Sequence, residues 1–117
     1  MSVAVKIPEE AGLSIKVEFF AKANITPFVA KQEVDDFLLN QVGNLLHAEQ
    51  PELLVDATGI FWRVPVAYTL PSRGKLGTVG YLLVDVQTGE VCRSQAVVEG
   101  IRRNAEALYH AQASEAG

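Results

Sequence analysis

The stretch that most constrains this chain is residues 59–93. Ile60, Trp62, Val64, Val66, Tyr68 and Leu70 alternate without a break against Phe61, Arg63, Pro65, Ala67 and Thr69. A period of two puts successive side chains on opposite faces of a strand, and a helix, with its period of 3.6, cannot use that pattern. Turn formers follow over Pro71–Gly77. A second long strand is expected over Thr78–Val86, and Gln87-Thr88-Gly89 turns it into a short strand at Glu90–Arg93. The chain must therefore build a sheet around a long hairpin. Pro65 lacks the N–H that a ladder uses, which predicts an edge strand or a proline facing its unpaired side.

The remaining segments alternate between strand and helix patterns. Leu13, Ile15, Val17 and Phe19 alternate with polar neighbours, and Val3, Val5 and Ile7 do the same, so a hairpin of Val3–Ile7 with Leu13–Lys22 is expected. Val34, Phe37, Leu38, Val42, Leu45 and Leu46 form one stripe at helical spacing, which predicts a helix over 31–47. Its start is either Thr26-Pro27, as N-cap and first-turn proline, or a point near Lys31. Early acids would then sit near its N-terminus, and Gln50-Pro51 should end it. Leu53 and Val55 mark a short strand closed by Thr58-Gly59. Val97, Val98, Ile101, Ala105, Leu108 and Tyr109 predict a second helix from about 95 to 112, with Gly100 weakening its first turns and residues 113–117 expected to be unstructured.

These elements predict one α+β domain over residues 1–117: a curved antiparallel sheet of four or more strands packed on one long helix, plus a C-terminal helix. Trp62, Val64, Phe37, Leu38, Leu45, Leu82 and Val84 are the expected core. At 117 residues, with 49% hydrophobic and 21% charged, the chain can bury a core without cross-links. The first ten residues lack the basic and apolar segments of an export signal, so a cytoplasmic protein without a membrane span is expected.

Charge is unevenly placed. Residues 32–58 hold six acids (Glu33, Asp35, Asp36, Glu49, Glu52, Asp56) and no Lys or Arg, whereas residues 59–80 hold Arg63, Arg73 and Lys75 and no acid. Solvated faces of opposite sign account for this most simply, but the two blocks could also meet, within one fold or across a dimer. The net charge of −4 argues against a general nucleic-acid binder, even with Trp62, Arg63, Arg73, Lys75 and Tyr81 forming an aromatic and basic set.

Chemistry-bearing residues are sparse. The lone cysteine, Cys92, excludes an internal disulfide and reads as a small core residue. His47, near the end of the first helix, reads as a C-terminal cap, and His110 lies near the end of the second. They would need a third ligand such as Asp56 or Glu106 to hold a metal, and no metal-binding spacing supports one. Glycines 74, 77 and 80 join strands rather than open a helix, so they are hairpin and bulge residues and not a phosphate loop. Asp85 reads as the acceptor that caps the 85–90 turn. No catalytic set, metal or cofactor is expected.

Three segments, Trp62-Arg63-Val64-Pro65-Val66, Leu76-Gly77-Thr78-Val79-Gly80 and Val84-Asp85-Val86-Gln87-Thr88-Gly89-Glu90-Val91, resemble a PepSY-like hairpin over residues 31–93. They are also similar to segments of small uncharacterised bacterial proteins, cyanobacterial ones among them. The order of strand, helix and strands resembles the cystatin-like architecture. These resemblances imply the helix-and-sheet fold and carry no inhibitory loop. The functional expectation is a non-enzymatic protein–protein interaction module, a homodimer, with a candidate surface at Asp35, Asp36, Phe61, Arg63, Arg73 and Lys75. The pairing edges of strands 60–70 and 78–86 support that reading. Two alternatives are a small-ligand or enzymatic pocket between sheet and helix, lined by Tyr68, Tyr81, His47 or Asp56, and an antitoxin-like or accessory partner of a nuclease or protease that presents its acidic face.

Overall fold

The structure is a computed structural model that describes residues 5–6 and 24–116, with side chains described for 24–112. It is an α+β fold. Strand β1 (Val5–Lys6) is followed by helix α1 (Pro27–Gln41), strands β2 (Leu46–Ala48), β3 (Glu52–Asp56), β4 (Gly59–Leu70), β5 (Gly74–Asp85) and β6 (Val91–Cys92), and helix α2 (Gln95–Ala116). The sheet order is β1-β3-β4-β5-β6, and β2 pairs with β4 beyond the end of β3. All ladders are antiparallel except the one between β1 and β3, which is parallel. Of the expected N-terminal hairpin, only Val5–Lys6 is placed; its proposed partner strand, Leu13–Lys22, lies outside the described residues.

The alternation of β4 sorts its side chains as its period requires. Trp62, Val64, Val66 and Tyr68 are buried, and Leu82 and Val84 lie opposite Val64 and Trp62 on β5. Ala30, Val34, Phe37 and Leu38 of α1 and Ile101 of α2 join the same cluster, so both helices cover one face of the sheet. Leu45 is half-buried at its margin. Register shifts between Val66 and Ala67 and between Tyr68 and Thr69 bend the long hairpin. Trp62 Nε1 donates to the Ile25 carbonyl at 2.7 Å, which ties the approach to α1 to the middle of the sheet.

Three expectations are corrected. First, α1 begins at the earlier of the two starts, with Thr26 Oγ1 accepting from Val29 N and Pro27 in the first turn. It ends at Gln41, well before Pro51. The N–H groups of Val42 and Gly43 both return to the Leu38 carbonyl, and Leu46–Ala48 then joins β4 as a strand. The stripe that continued through Leu45 and Leu46 was therefore apolar for a different reason: Leu46 faces the same core from a sheet. With this start the acids fall beyond the first helical turn.

Second, β4 is not an edge strand. It is paired on one side by β5 and on the other by β3 and β2. The Pro65 carbonyl accepts from Glu49 N at 2.9 Å, and in an antiparallel ladder a residue's N and C=O point the same way. The missing donor thus faces the gap between β2 and β3, where Gln50-Pro51 interrupts the neighbouring strand. The expectation of an unpaired side at the proline holds only locally, over that interruption.

Third, α2 starts at Gln95 as expected, runs through Gly100, and continues to Ala116 rather than ending near Gln112. Gly80 permits its approach: a Cβ there would lie 2.6 Å from Ile101 Cγ1. No helix of the described residues is long and apolar enough to cross a membrane.

Candidate interaction surface

The outer side of α1 is set by its buried side. Ala30, Val34, Phe37 and Leu38 face the sheet, which turns Phe28, Gln32, Asp36 and Leu39 away from it at about 100° per residue. Phe28 is 62% exposed and Leu39 63%. Eleven residues apart, they lie within about 20° of each other around the helix and about 16 Å apart along it. They form two large apolar contacts on one outward stripe. Asp36 is exposed beside them, and Asp35 is half-buried at the stripe's edge. Asp35 does structural work there: Oδ1 accepts from Ala48 N at 2.7 Å and Oδ2 from Lys31 Nζ at 3.2 Å, which fastens α1 to β2.

The other four expected surface residues are elsewhere. Phe61 and Arg63 point to the sheet face opposite the helices. Arg63 pairs with Glu52 at 2.8 Å, and its guanidinium lies 4.8 Å from the centre of the Tyr81 ring. Lys75, near the start of β5, pairs with Glu49 at 2.6 Å. Arg73 is exposed in the β4–β5 turn. The six residues therefore do not form one surface. Two lie on α1, and two of the remaining three cations are matched to acids of the same chain. The acidic and basic blocks meet inside the fold, because β2 and β3 run beside β4 and place Glu49 and Glu52 next to its hairpin.

Phe28 and Leu39 were missed in the sequence. A helix beginning near Lys31 leaves Phe28 outside it, and neither residue belongs to the stripe that marks the core. The available signal was that mismatch: with Thr26 as N-cap, two large apolar residues fall on the side the core does not need.

A groove of about 400 Å³ separates α1 from the β5–β6 turn, lined by Glu33, Asp36, Phe37, Asn40, Glu90 and Arg93 among others. The Arg93 guanidinium lies 5.0 Å from the centre of the Phe37 ring. A smaller, more apolar groove of about 230 Å³ runs between the end of α1 and α2 past Leu45, Leu46, Tyr68 and Ala105. The four residues suggested as pocket lining do not converge. Tyr68 borders the smaller groove, Tyr81 is on the opposite sheet face, and Asp56 caps the β3–β4 turn. His47, on β2, lies 2.7 Å from Thr69 Oγ1 through Nε2. His47 is thus in a strand and caps no helix.

Turn chemistry accounts for the isolated carboxylates. Asp56 Oδ1 accepts from Thr58 Oγ1 at 2.6 Å, Thr58 N at 2.8 Å and Gly59 N at 3.2 Å, and the Thr58 bonds hold its carboxyl below its ordinary value. Asp85 Oδ1 accepts from Gln87 N and Thr88 N, and Gly89 closes that turn at a φ of 78°. Cys92 is exposed rather than buried in the core. Partial desolvation, with Asp85 and Glu90 nearby, pushes its thiol above the ordinary value, which favours the unreactive protonated form. Among the described residues, no group of three or more His, Cys, Asp or Glu is placed to hold a metal ion. Comparison of the chain with protein-family models, with curated proteins and with solved structures finds no match.

Proposed function

We propose that this protein is a non-enzymatic protein–protein interaction module that self-associates through the outer face of α1. The observation that carries this reading is the pair Phe28 and Leu39, each more than three-fifths exposed on one stripe of a helix whose other side is anchored in the core. Two such side chains at this spacing have the form of anchors for a facing helix, and covering them removes apolar area from water. Tyr81, Val97 and Tyr109 are also exposed, on β5 and α2, so they do not extend this stripe. Edge pairing is the weaker route to association. β4 is interior, and Asn104 Nδ2 of α2 donates to the Val79 carbonyl in the middle of β5.

Size-exclusion chromatography with light scattering tests the reading. The expected result is a concentration-dependent monomer–dimer equilibrium that Phe28→Glu weakens by tenfold or more; a strict monomer up to millimolar concentration overturns it. The groove beside Arg93 supports a second reading, a small ligand held between α1 and the β5–β6 turn. A thermal-shift screen of metabolites against the wild-type chain tests that reading, and it expects stabilisation that Arg93→Ala removes.

A further inference from the structure

The stripe on α1 is self-complementary in one orientation only. Resting on the reading of α1 as the self-association face, we infer that two copies pair with their α1 helices antiparallel about a twofold axis, Phe28 of each copy level with Leu39 of the other.

The argument begins with the two flanks of the stripe. Taking about 100° per residue, Lys31 and Asp35 lie to one side of Phe28 and Leu39, and Gln32 and Asp36 to the other. A twofold axis that relates antiparallel helices brings each flank against its own copy. With Phe28 level with Leu39, Lys31 of one copy then comes within one residue's rise of Asp35 of the second, and the symmetry repeats the pair. The other flank sets the Gln32 amide beside the Asp36 carboxylate, a donor against an acceptor. Both apolar contacts pair Phe28 with Leu39, and on the charged flank two Lys31–Asp35 pairs outweigh the single approach of Asp35 to its own copy, about three residues' rise away.

A parallel pair does the reverse. It brings unlike flanks together at the same level, so that Asp36 of one copy meets Asp35 of the other, carboxylate against carboxylate. It also aligns the two helix dipoles unfavourably, whereas the antiparallel pair opposes them. The Lys31 and Asp35 side chains are accessible enough for the exchange, 41% and 35% exposed, and the bond from Ala48 N to Asp35 Oδ1 holds that carboxylate in place. The orientation thus follows from which charges share a flank.

The test uses the full chain and two variants, Phe28→Glu and Leu39→Lys, each at an exposed position and each checked for wild-type circular dichroism. Alone, each variant should dimerise at least about tenfold more weakly than wild type, because its twofold axis repeats one charge against an apolar side chain. Mixed in equal amounts, they should recover dimer. One contact then sets the introduced carboxylate against the introduced ammonium, and the other keeps the native pair of Phe28 with Leu39. Weakening by both variants without recovery on mixing overturns the antiparallel register and leaves self-association through α1 standing. Dimerisation unaffected by either variant overturns the α1 interface itself. A wild-type chain that stays monomeric overturns the self-association reading, and this inference with it.

Discussion

Trp62 shows how much one residue settles in this fold. Its ring is 2% exposed in the core, and its indole N–H donates to Ile25, so one side chain joins the centre of the sheet to the segment that launches α1. Buried tryptophans need such an acceptor, because an unsatisfied indole donor would carry the full cost of its lost hydration. Cys92 is the opposite case. Its placement on a two-residue strand leaves it exposed, and partial desolvation plus Asp85 and Glu90 suppress its thiolate. Alkylation by iodoacetamide should therefore be slow at neutral pH, and its rate should reach half its maximum at a pH above the midpoint of an unstructured cysteine peptide. A midpoint below that value, read from the pH–rate profile, would contradict the electrostatic account.

At the scale of elements, the packing of α2 on β5 depends on a missing side chain. Ile101 occupies the space above Gly80 that a Cβ would need, and Leu108 lies similarly over Gly77. Gly80→Ala should destabilise the protein by about 1–3 kcal/mol, the usual range for overpacking a close contact. In the Ile101→Ala background the same change should cost much less, a non-additivity that urea unfolding of the four proteins would measure. The boundaries of α1 teach a related lesson. Apolar spacing alone carries the helix on to residue 47, but the helix ends at Gln41 with Val42 as its cap, and the ladder from Leu46–Ala48 to Val66–Tyr68 claims the chain instead. Tertiary pairing outweighed a local pattern that fitted both structures.

At the scale of the whole molecule, the sheet brings together charges that lie apart in the chain. Glu49 and Glu52 are next to Lys75 and Arg63 because β2 and β3 flank β4 and β5 follows it. The Lys75 pair is largely solvated, and replacing Glu49 with Gln should lower stability by less than about 1 kcal/mol, with a matching loss of salt dependence in chemical denaturation. With those acids neutralised internally, the two most exposed large apolar side chains among the described residues, Phe28 and Leu39, share the α1 stripe. Association should accordingly depend on Phe28 and Leu39 more than on Arg63 or Lys75.

The sequence by itself determined the α+β class, the long hairpin of β4 and β5, the Asp85–Gly89 turn and most of the core. Each of these rests on local periodicity or on backbone chemistry that a few neighbouring residues impose. It also set Asp35 and Asp36 off the apolar stripe, and of the two the structure leaves Asp36 exposed while Asp35 is half-buried against β2. Only the tertiary structure decided that β4 is interior, that the opposed charge blocks pair within one chain, and that Phe28 and Leu39 share an outward face. The physical reason is common to all three. Strand order, ion-pair partners and the exposed side of a helix depend on which distant segments pack together, and that packing is a property of the whole core rather than of any window of the chain.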